Sequence, residues 1–428
     1  MRRRTFLKSL ATAATLPIAP SAIAAAAVKT RSRNPRRPKV ALIGTEVRKH
    51  SHAQHFIDRL LEGYGWHGAH YHPGIELASL YIDQHPEGDL SLDRSRRHNV
   101  PIYPTIAEAL NRGGSKLAVD GVIIIAEHGN YPKNEKGQTR YPRYQFFKEV
   151  IRVFESSGRS VPVFNDKHLS TVWSECTEMV ADSRRLEFAF LAGSSLPVTW
   201  RLPSIDIPVG THLSESVAVC YGGVDSYDFH GLETAQCMSE RRKGGESGIR
   251  SVHTLRGERL WPVLNDHPGT RDLLFAALSR SHTVRPPPGY SYLPPTLEHL
   301  RQSCPDATAY FIEHNDGFRT TMFLLSGFVQ DFTYAGRETR NGTIFSCQMH
   351  LPMPNHISST ADFFNPLSRH IEETIVRRRA SYPVERTLLT SGMTLAAVES
   401  LFLGQVPIAT PEMGISYRTS SDSTYWNA

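Results

Sequence analysis

Cysteine is scarce and dispersed: Cys176, Cys220, Cys237, Cys304 and Cys347 are the five in 428 residues, with no CxxC pair among them. An odd, scattered set is neither a disulfide framework nor a zinc-ribbon spacing. Cys176 and Cys237 fall on apolar faces of predicted helices and read as buried thiols. Beyond the N-terminal segment no apolar run of about 18 residues occurs, so no transmembrane helix is expected in the mature chain. HExxH is missing too. His50, His52 and His55, then His67, His70 and His72, form two clusters, yet no carboxylate spacing completes a zinc site and no metal is assigned. Gly193-Ser194-Ser195 lacks the GxSxG spacing of a hydrolase nucleophile and reads as an interdomain loop with Pro197 and Trp200.

Acidic residues are absent from residues 1–39, which carry ten basic ones; without these, 38 basic residues face 42 acidic ones in the body of the chain. The formal net charge of +6 therefore belongs to the leader and tether, and no nucleic-acid partner is expected. Arg3-Arg4-Thr5-Phe6-Leu7-Lys8 matches the twin-arginine export pattern, ahead of a weakly hydrophobic, alanine-rich stretch to residue 27 with small-residue cleavage candidates. The expected location is the periplasm or cell exterior, with the twin-arginine export machinery as a partner; an uncleaved amphipathic anchor is the alternative. Residues 28–38 form a basic, proline-containing tether.

From Lys39 to about residue 190 apolar strand-like runs alternate with helical patterns, as in KVALIG at 39–44, VDGVIIIA at 119–126 and the amphipathic stretch 142–157. That order predicts an α/β fold beginning with a Rossmann-type doubly wound parallel sheet over 39–190. Ser170 is the expected cap of the helix that follows it. Over 191–428 the pattern predicts an α/β domain with a mainly antiparallel sheet. It has one helix at Phe229–Arg242, whose macrodipole Arg241-Arg242-Lys243 would favour, and strands at 249–255, 308–313, 319–325, 328–334 and 343–349. Turn signals between the last four suggest a meander, and Arg285–Pro295 reads as a rigid connection.

The first strand–helix turn is Gly44-Thr45-Glu46-Val47-Arg48-Lys49-His50-Ser51-His52. Of the three glycines that let backbone approach a diphosphate only Gly44 is present, Glu46 and Lys49 taking the other places; Arg48, Lys49 and the helix N-terminus supply positive potential. Asp83 ends the second strand, where an acid accepts ribose hydroxyls, and its distance from Gly44 implies an insertion over Gly63–Glu76. Glu127 to Arg143 follows a strand's carboxyl end and is rich in side chains suited to a hydroxylated, sugar-like ligand, with Glu127 and His128 in reach. A solvent-exposed insertion is the other reading of that segment.

These signatures resemble the glucose-fructose oxidoreductase/inositol dehydrogenase (Gfo/Idh/MocA) family over roughly residues 39–270. His52 falls on the histidine that follows the family's glycine turn, Val119 to Ala126 resembles its VDAVVIAT strand, and Asp166-Lys167-His168 stands for its Glu-Lys-Pro. Gly222 to His230 resembles its Gly-Gly segment followed by Asp and His, with Glu233 where an Asp often follows; Ser226 occupies the usual Asp place. The resemblance implies NAD or NADP, held by Gly44, Thr45, Glu46, Arg48, His52, Asp83, Glu127, Asp166 and Lys167, and a catalytic set of Lys167, His230, Asp225, Asp228 and Glu233. Lys167 and His230 can share proton transfer and hydroxyl orientation, with Glu233 one helical turn on to orient the imidazole. A Lys167 salt bridge to Asp166 or a neighbouring carboxylate, and a satisfied helix-end His230, are the structural readings of the same residues. The expected function is a NAD(P)-dependent oxidoreductase acting on a sugar, polyol or related hydroxyl compound. NAD-assisted glycoside cleavage and a catalytically degenerate carbohydrate-binding protein are the alternatives. A homo-oligomer is compatible with the sheet-rich second half.

Overall fold

The computed structural model describes residues 36–285, 296–352 and 360–427; the twin-arginine leader, most of the tether and nearly all of the proline-rich connection fall outside them. Strand β1 (Lys39–Gly44) leads into helix α1 (His52–Glu62), whose N-cap Ser51 accepts from the Gln54 amide. The expected insertion contains a hairpin of β2 (Tyr64–Trp66) and β3 (Ala69–Tyr71). There follow β4 (Glu76–Ile82), α2 (Ser91–His98), α3 (Ile106–Asn111), β5 (Gly121–Ile125), α4 (Arg143–Ser157), β6 (Val163–Asp166), α5 (Trp173–Arg185) and β7 (Phe190–Gly193). These strands form a parallel sheet in the order β4-β1-β5-β6-β7. The chain therefore builds outward from β1 and then returns to its other side, leaving a topological switch point between β1 and β5. Every residue of β5 is buried, as a central parallel strand requires.

The second sheet has eight strands, β8 (Arg201–Leu202), β9 (Leu213–Cys220), β10 (Ile249–Arg256), β11 (Thr308–His314), β12 (Arg319–Leu324), β13 (Phe332–Glu338), β14 (Ile344–Met349) and β15 (Ile408–Ala409), in the order β15-β10-β11-β12-β9-β13-β14-β8. The expected meander is interrupted. Strand β9 inserts between β12 and β13 and runs parallel to β12, while the other pairs are antiparallel. Helix α6 (Asp228–Ser239) packs on one face of this sheet; α7 (Leu260–Asp266), α8 (Pro268–Leu278) and α9 (Leu297–Ser303) cover the other. Two helices then return to the first sheet. Phe364, Leu367 and Ile371 of α10 (Phe364–Arg377) join the core containing Leu42 and Ile123, and α11 (Val384–Phe402) contributes to both sheets' cores.

Two local expectations need correction. Helix α6 ends at Ser239, so Arg241 and Arg242 do not serve its macrodipole; both are buried, and Arg242 pairs with Glu246 and Asp316. Ser170 does not cap α5, which starts at Trp173; its hydroxyl accepts from the Val172 amide instead. Among the described residues no helix is long and apolar enough to cross a membrane.

Candidate active site

The carboxyl ends of β1, β5 and β6 and the start of α6 meet around a cavity of about 330 Å³. His50, His52 and His55 come from the β1–α1 turn and helix, Glu127 and His128 follow β5, Lys167 follows β6, and His230 opens α6. Phe363 and Phe364 enclose it at the start of α10. Larger clefts of about 610 and 800 Å³ lie elsewhere and contain neither Lys167 nor His230. The turns around the cavity are conformationally unusual: His50 (φ 66°), His128 (φ 74°), Lys167 (φ 67°) and, beside α6, Asp225 (φ 55°) are left-handed without being glycine. Such backbone costs energy, persists only where surrounding contacts over-determine it, and concentrates at functional sites.

Glu127 organises the charge. Arg143 Nη2 donates to its carboxylate at 2.5 Å and Lys167 Nζ lies 3.4 Å away. Burial opposes the charge on Glu127, but Lys167 and Arg143 together hold the carboxyl well below its ordinary range. Lys167 thus pairs with Glu127 and not with Asp166, whose Oδ2 is 2.6 Å from His52 Nδ1. Three neighbouring imidazoles are held toward the neutral form. Burial, then Lys167, pushes His230 well below its ordinary value, burial takes His128 down to about 3, and His168 is lowered by burial and by Arg143, whose Nη1 donates to its Nε2 at 3.0 Å. Among the described residues, buried His50 Nε2 and His128 Nδ1 have no hydrogen-bond partner, a pattern that a polar ligand resolves.

Two predicted catalytic acids are elsewhere. Asp228 accepts from the amides of Asp225, Ser226 and Phe229 and from the Tyr310 hydroxyl, so it secures the start of α6 and does not line the cavity. Asp225 accepts from Gln138 Nε2 at 2.9 Å and also lies off the cavity, its carboxyl raised to about 6 by burial. Glu233 does not touch His230 directly, since Nδ1 and Oε2 are 3.7 Å apart; Ser194 Oγ stands between them. In the sequence Ser194 reads as part of an interdomain loop. Its position just past the carboxyl end of a parallel strand was the available signal.

The donors of the β1–α1 turn are already engaged within the protein. Thr45 N donates to Ile125 O at 3.2 Å, Ser51 N to Arg48 O at 2.9 Å, Arg48 N to Ser51 Oγ at 3.2 Å and His50 N to Gln54 Oε1 at 2.7 Å. Thr45 Oγ1 donates to Glu127 O, and buried Glu46 pairs with Arg48 at 2.6 Å. Gly44 lets Ile82 approach, where a Cβ would meet Ile82 Cδ1 at 3.2 Å. Asp83 already accepts from the Tyr81 and Tyr131 hydroxyls, at 2.8 and 2.6 Å. Asn130 N donates to Gln84 Oε1 at 2.9 Å and Gln84 Nε2 returns a bond to Asn130 O at 3.2 Å. The segment after β5 is thereby tied to the segment after β4.

This two-sheet arrangement recurs in solved structures. GenD2 from gentamicin A biosynthesis, in complex with NAD, matches with a TM-score of 0.53 at 12% identity over 87% of this chain and 96% of that one. Myo-inositol dehydrogenase from Lactobacillus casei, in complex with NAD(H) and myo-inositol, matches with a TM-score of 0.52 at 11% identity over 87% and 96%. The chain has the fold of the inositol dehydrogenases. A myo-inositol dehydrogenase from Corynebacterium glutamicum is also similar, with a TM-score of 0.50 at 11% identity over 87% and 98%. No sequence family and no curated protein sequence matches the chain. At these identities the inositol dehydrogenase likeness is one of fold, and the chemistry of the cavity rests on this chain's own residues.

Proposed function

We propose that the protein is a NAD(P)-dependent oxidoreductase acting on a sugar, polyol or related hydroxyl compound. The observation that carries this reading is the convergence of Lys167, Glu127 and neutral His230 on one cavity at the switch point of the parallel sheet. The solved neighbours with NAD, and with NAD(H) and myo-inositol, support it. The donor set fits the reacting end of the cofactor, which His52, Glu127 and Lys167 would hold; when bound, the nicotinamide supplies a hydride acceptor. Lys167 Nζ, positioned by Glu127, stabilises an oxygen that is losing its proton. His230 accepts that proton.

The diphosphate end does not fit equally well. Glu46 brings a carboxylate to the turn, four of the turn's amides are spent, and the Gln84–Asn130 tie spans the neighbouring strand ends. We therefore expect weak dinucleotide binding that requires the tie to open. The same observation favours the second reading, a carbohydrate-binding protein on this scaffold without catalysis. Export to the periplasm or cell exterior, from Arg3-Arg4-Thr5-Phe6-Leu7-Lys8, belongs to the proposal and is checked by N-terminal sequencing of the exported protein.

The deciding experiment is mass spectrometry of small molecules released on denaturing the purified protein, followed by calorimetry with NAD and NADP and turnover on a panel of polyols. Nucleotide binding with turnover that falls by roughly 10²-fold or more in Lys167→Ala, at unchanged circular dichroism, is the expected result. Polyol binding without any nucleotide binding establishes the second reading instead.

A further inference from the structure

Ser194, just past β7, connects two side chains of α6. Its Oγ lies 2.8 Å from His230 Nδ1 and donates to Glu233 Oε2, while its amide donates to Glu233 Oε1 at 2.9 Å. With Nδ1 engaged, Nε2 is the ring nitrogen His230 has left for the cavity it lines. All three side chains are buried. This creates a physical problem for His230 as a base, because burial and the nearby Lys167 ammonium disfavour an imidazolium. A base that cannot keep a proton must pass it on.

We propose that Ser194 and Glu233 form a proton relay behind His230, so that a proton taken from a ligand hydroxyl at Nε2 ends on Glu233 while His230 changes tautomer without becoming a cation. The inference rests on the cavity being the proton-exchange site described above. The ligand O–H bond breaks as Nε2–H forms; Nδ1–H breaks as a new Ser194 Oγ–H forms; the original Ser194 Oγ–H breaks as Glu233 Oε2–H forms. One proton moves from ligand to Glu233, and one negative charge moves from Glu233 to the ligand oxygen, on the Lys167 side of the relay.

Glu233 is suited to receive it. Burial raises its carboxyl to about 7, against the lowering by Ser194 and by Arg386 of α11, with Asp166 at the end of β6 raising it further. Tyr382 also faces it, with its hydroxyl donating to Ala192 O. Gly193, with φ 117°, makes the room: a Cβ there would stand 2.5 Å from Glu233 Oε1.

The test is side-chain nitrogen NMR of the folded, ligand-free protein labelled at histidine, the His230 signals being assigned by their loss in His230→Gln. The expected result is an Nδ1–H tautomer above about pH 7.5 that converts to Nε2–H below about pH 6.5, with no imidazolium between. Glu233→Gln, whose amide donates to Ser194 Oγ, holds Nε2–H at every pH, and Ser194→Ala abolishes the conversion. A wild-type tautomer that stays the same from about pH 5.5 to 8.5, or conversion to imidazolium, overturns the relay even where a variant does not fold. Turnover is not read, so absence of oxidoreductase activity leaves the tautomer result intact and counts against the function alone.

Discussion

His52 Nδ1 stands 2.6 Å from Asp166 Oδ2 and ties the first turn of α1 to the end of β6. Both residues resemble cofactor contacts in sequence, and in the folded chain they are each other's partner. The Asp166 side chain is fully buried, with its second oxygen unpartnered among the described residues. Removing the imidazole leaves the buried Asp166 side chain without this hydrogen bond. His52→Ala is expected to lower stability by about 2 kcal/mol in urea unfolding. A loss below about 0.5 kcal/mol would show that solvent already serves Asp166.

The β1–α1 turn predicts a gain of function. Glu46→Gly removes the carboxylate and its pair with Arg48, freeing the guanidinium beside the start of α1. Dinucleotide affinity measured by calorimetry is expected to rise by roughly tenfold, about 1.4 kcal/mol. An unchanged affinity would place the obstacle in the Gln84–Asn130 tie.

Stability should fall in acid, from a sign that can be worked out. His55 is lowered to about 3 by burial and Arg59, and His168 and His230 are lowered well below their ordinary value. Unfolded histidines bind protons as pH drops through about 6.5 while these stay neutral, so each removes on the order of 1.4 kcal/mol per pH unit below that point. Glu233, raised to about 7, acts oppositely: its contribution is full below the ordinary glutamate value and is lost as pH rises to about 7. Urea midpoints from about pH 4.5 to 7 should therefore rise with pH, and more steeply in Glu233→Gln. A flat profile would contradict the buried neutral histidines.

Gly193→Ala tests how the site is packed. The residue has φ 117°, and its new Cβ would meet Glu233 Oε1 at 2.5 Å and Thr387 Oγ1 at 3.1 Å. Strain of about 1–3 kcal/mol is expected, read as a lower unfolding midpoint. An unaltered midpoint would mean that the Glu233 pocket yields easily.

Much of the first sheet was legible because β1, β5 and α4 carry their periodicity locally. Lys167, Glu127 and His230 were legible because each sits at a strand end or helix start. Asp228 was drawn in by its spacing, yet backbone amides and Tyr310 take its carboxylate away from the cavity. Ser194 reads as a link because its partners, His230 and Glu233, lie on a helix of the second half. Turn signals between neighbours suggest a meander over β11–β14, and no local signal reports that β9 inserts between two of those strands.

By itself the sequence determined the alternation of strands and helices and the residue types at their ends, because hydrophobic period and turn chemistry act over a few residues. Only the tertiary structure decided which of those ends share a cavity, that Lys167 answers to Glu127 and Asp166 to His52, and that the donors of the β1–α1 turn are already engaged. Those outcomes depend on groups far apart in the chain whose burial makes each polar atom find a partner, and that competition is settled only when both sheets are packed.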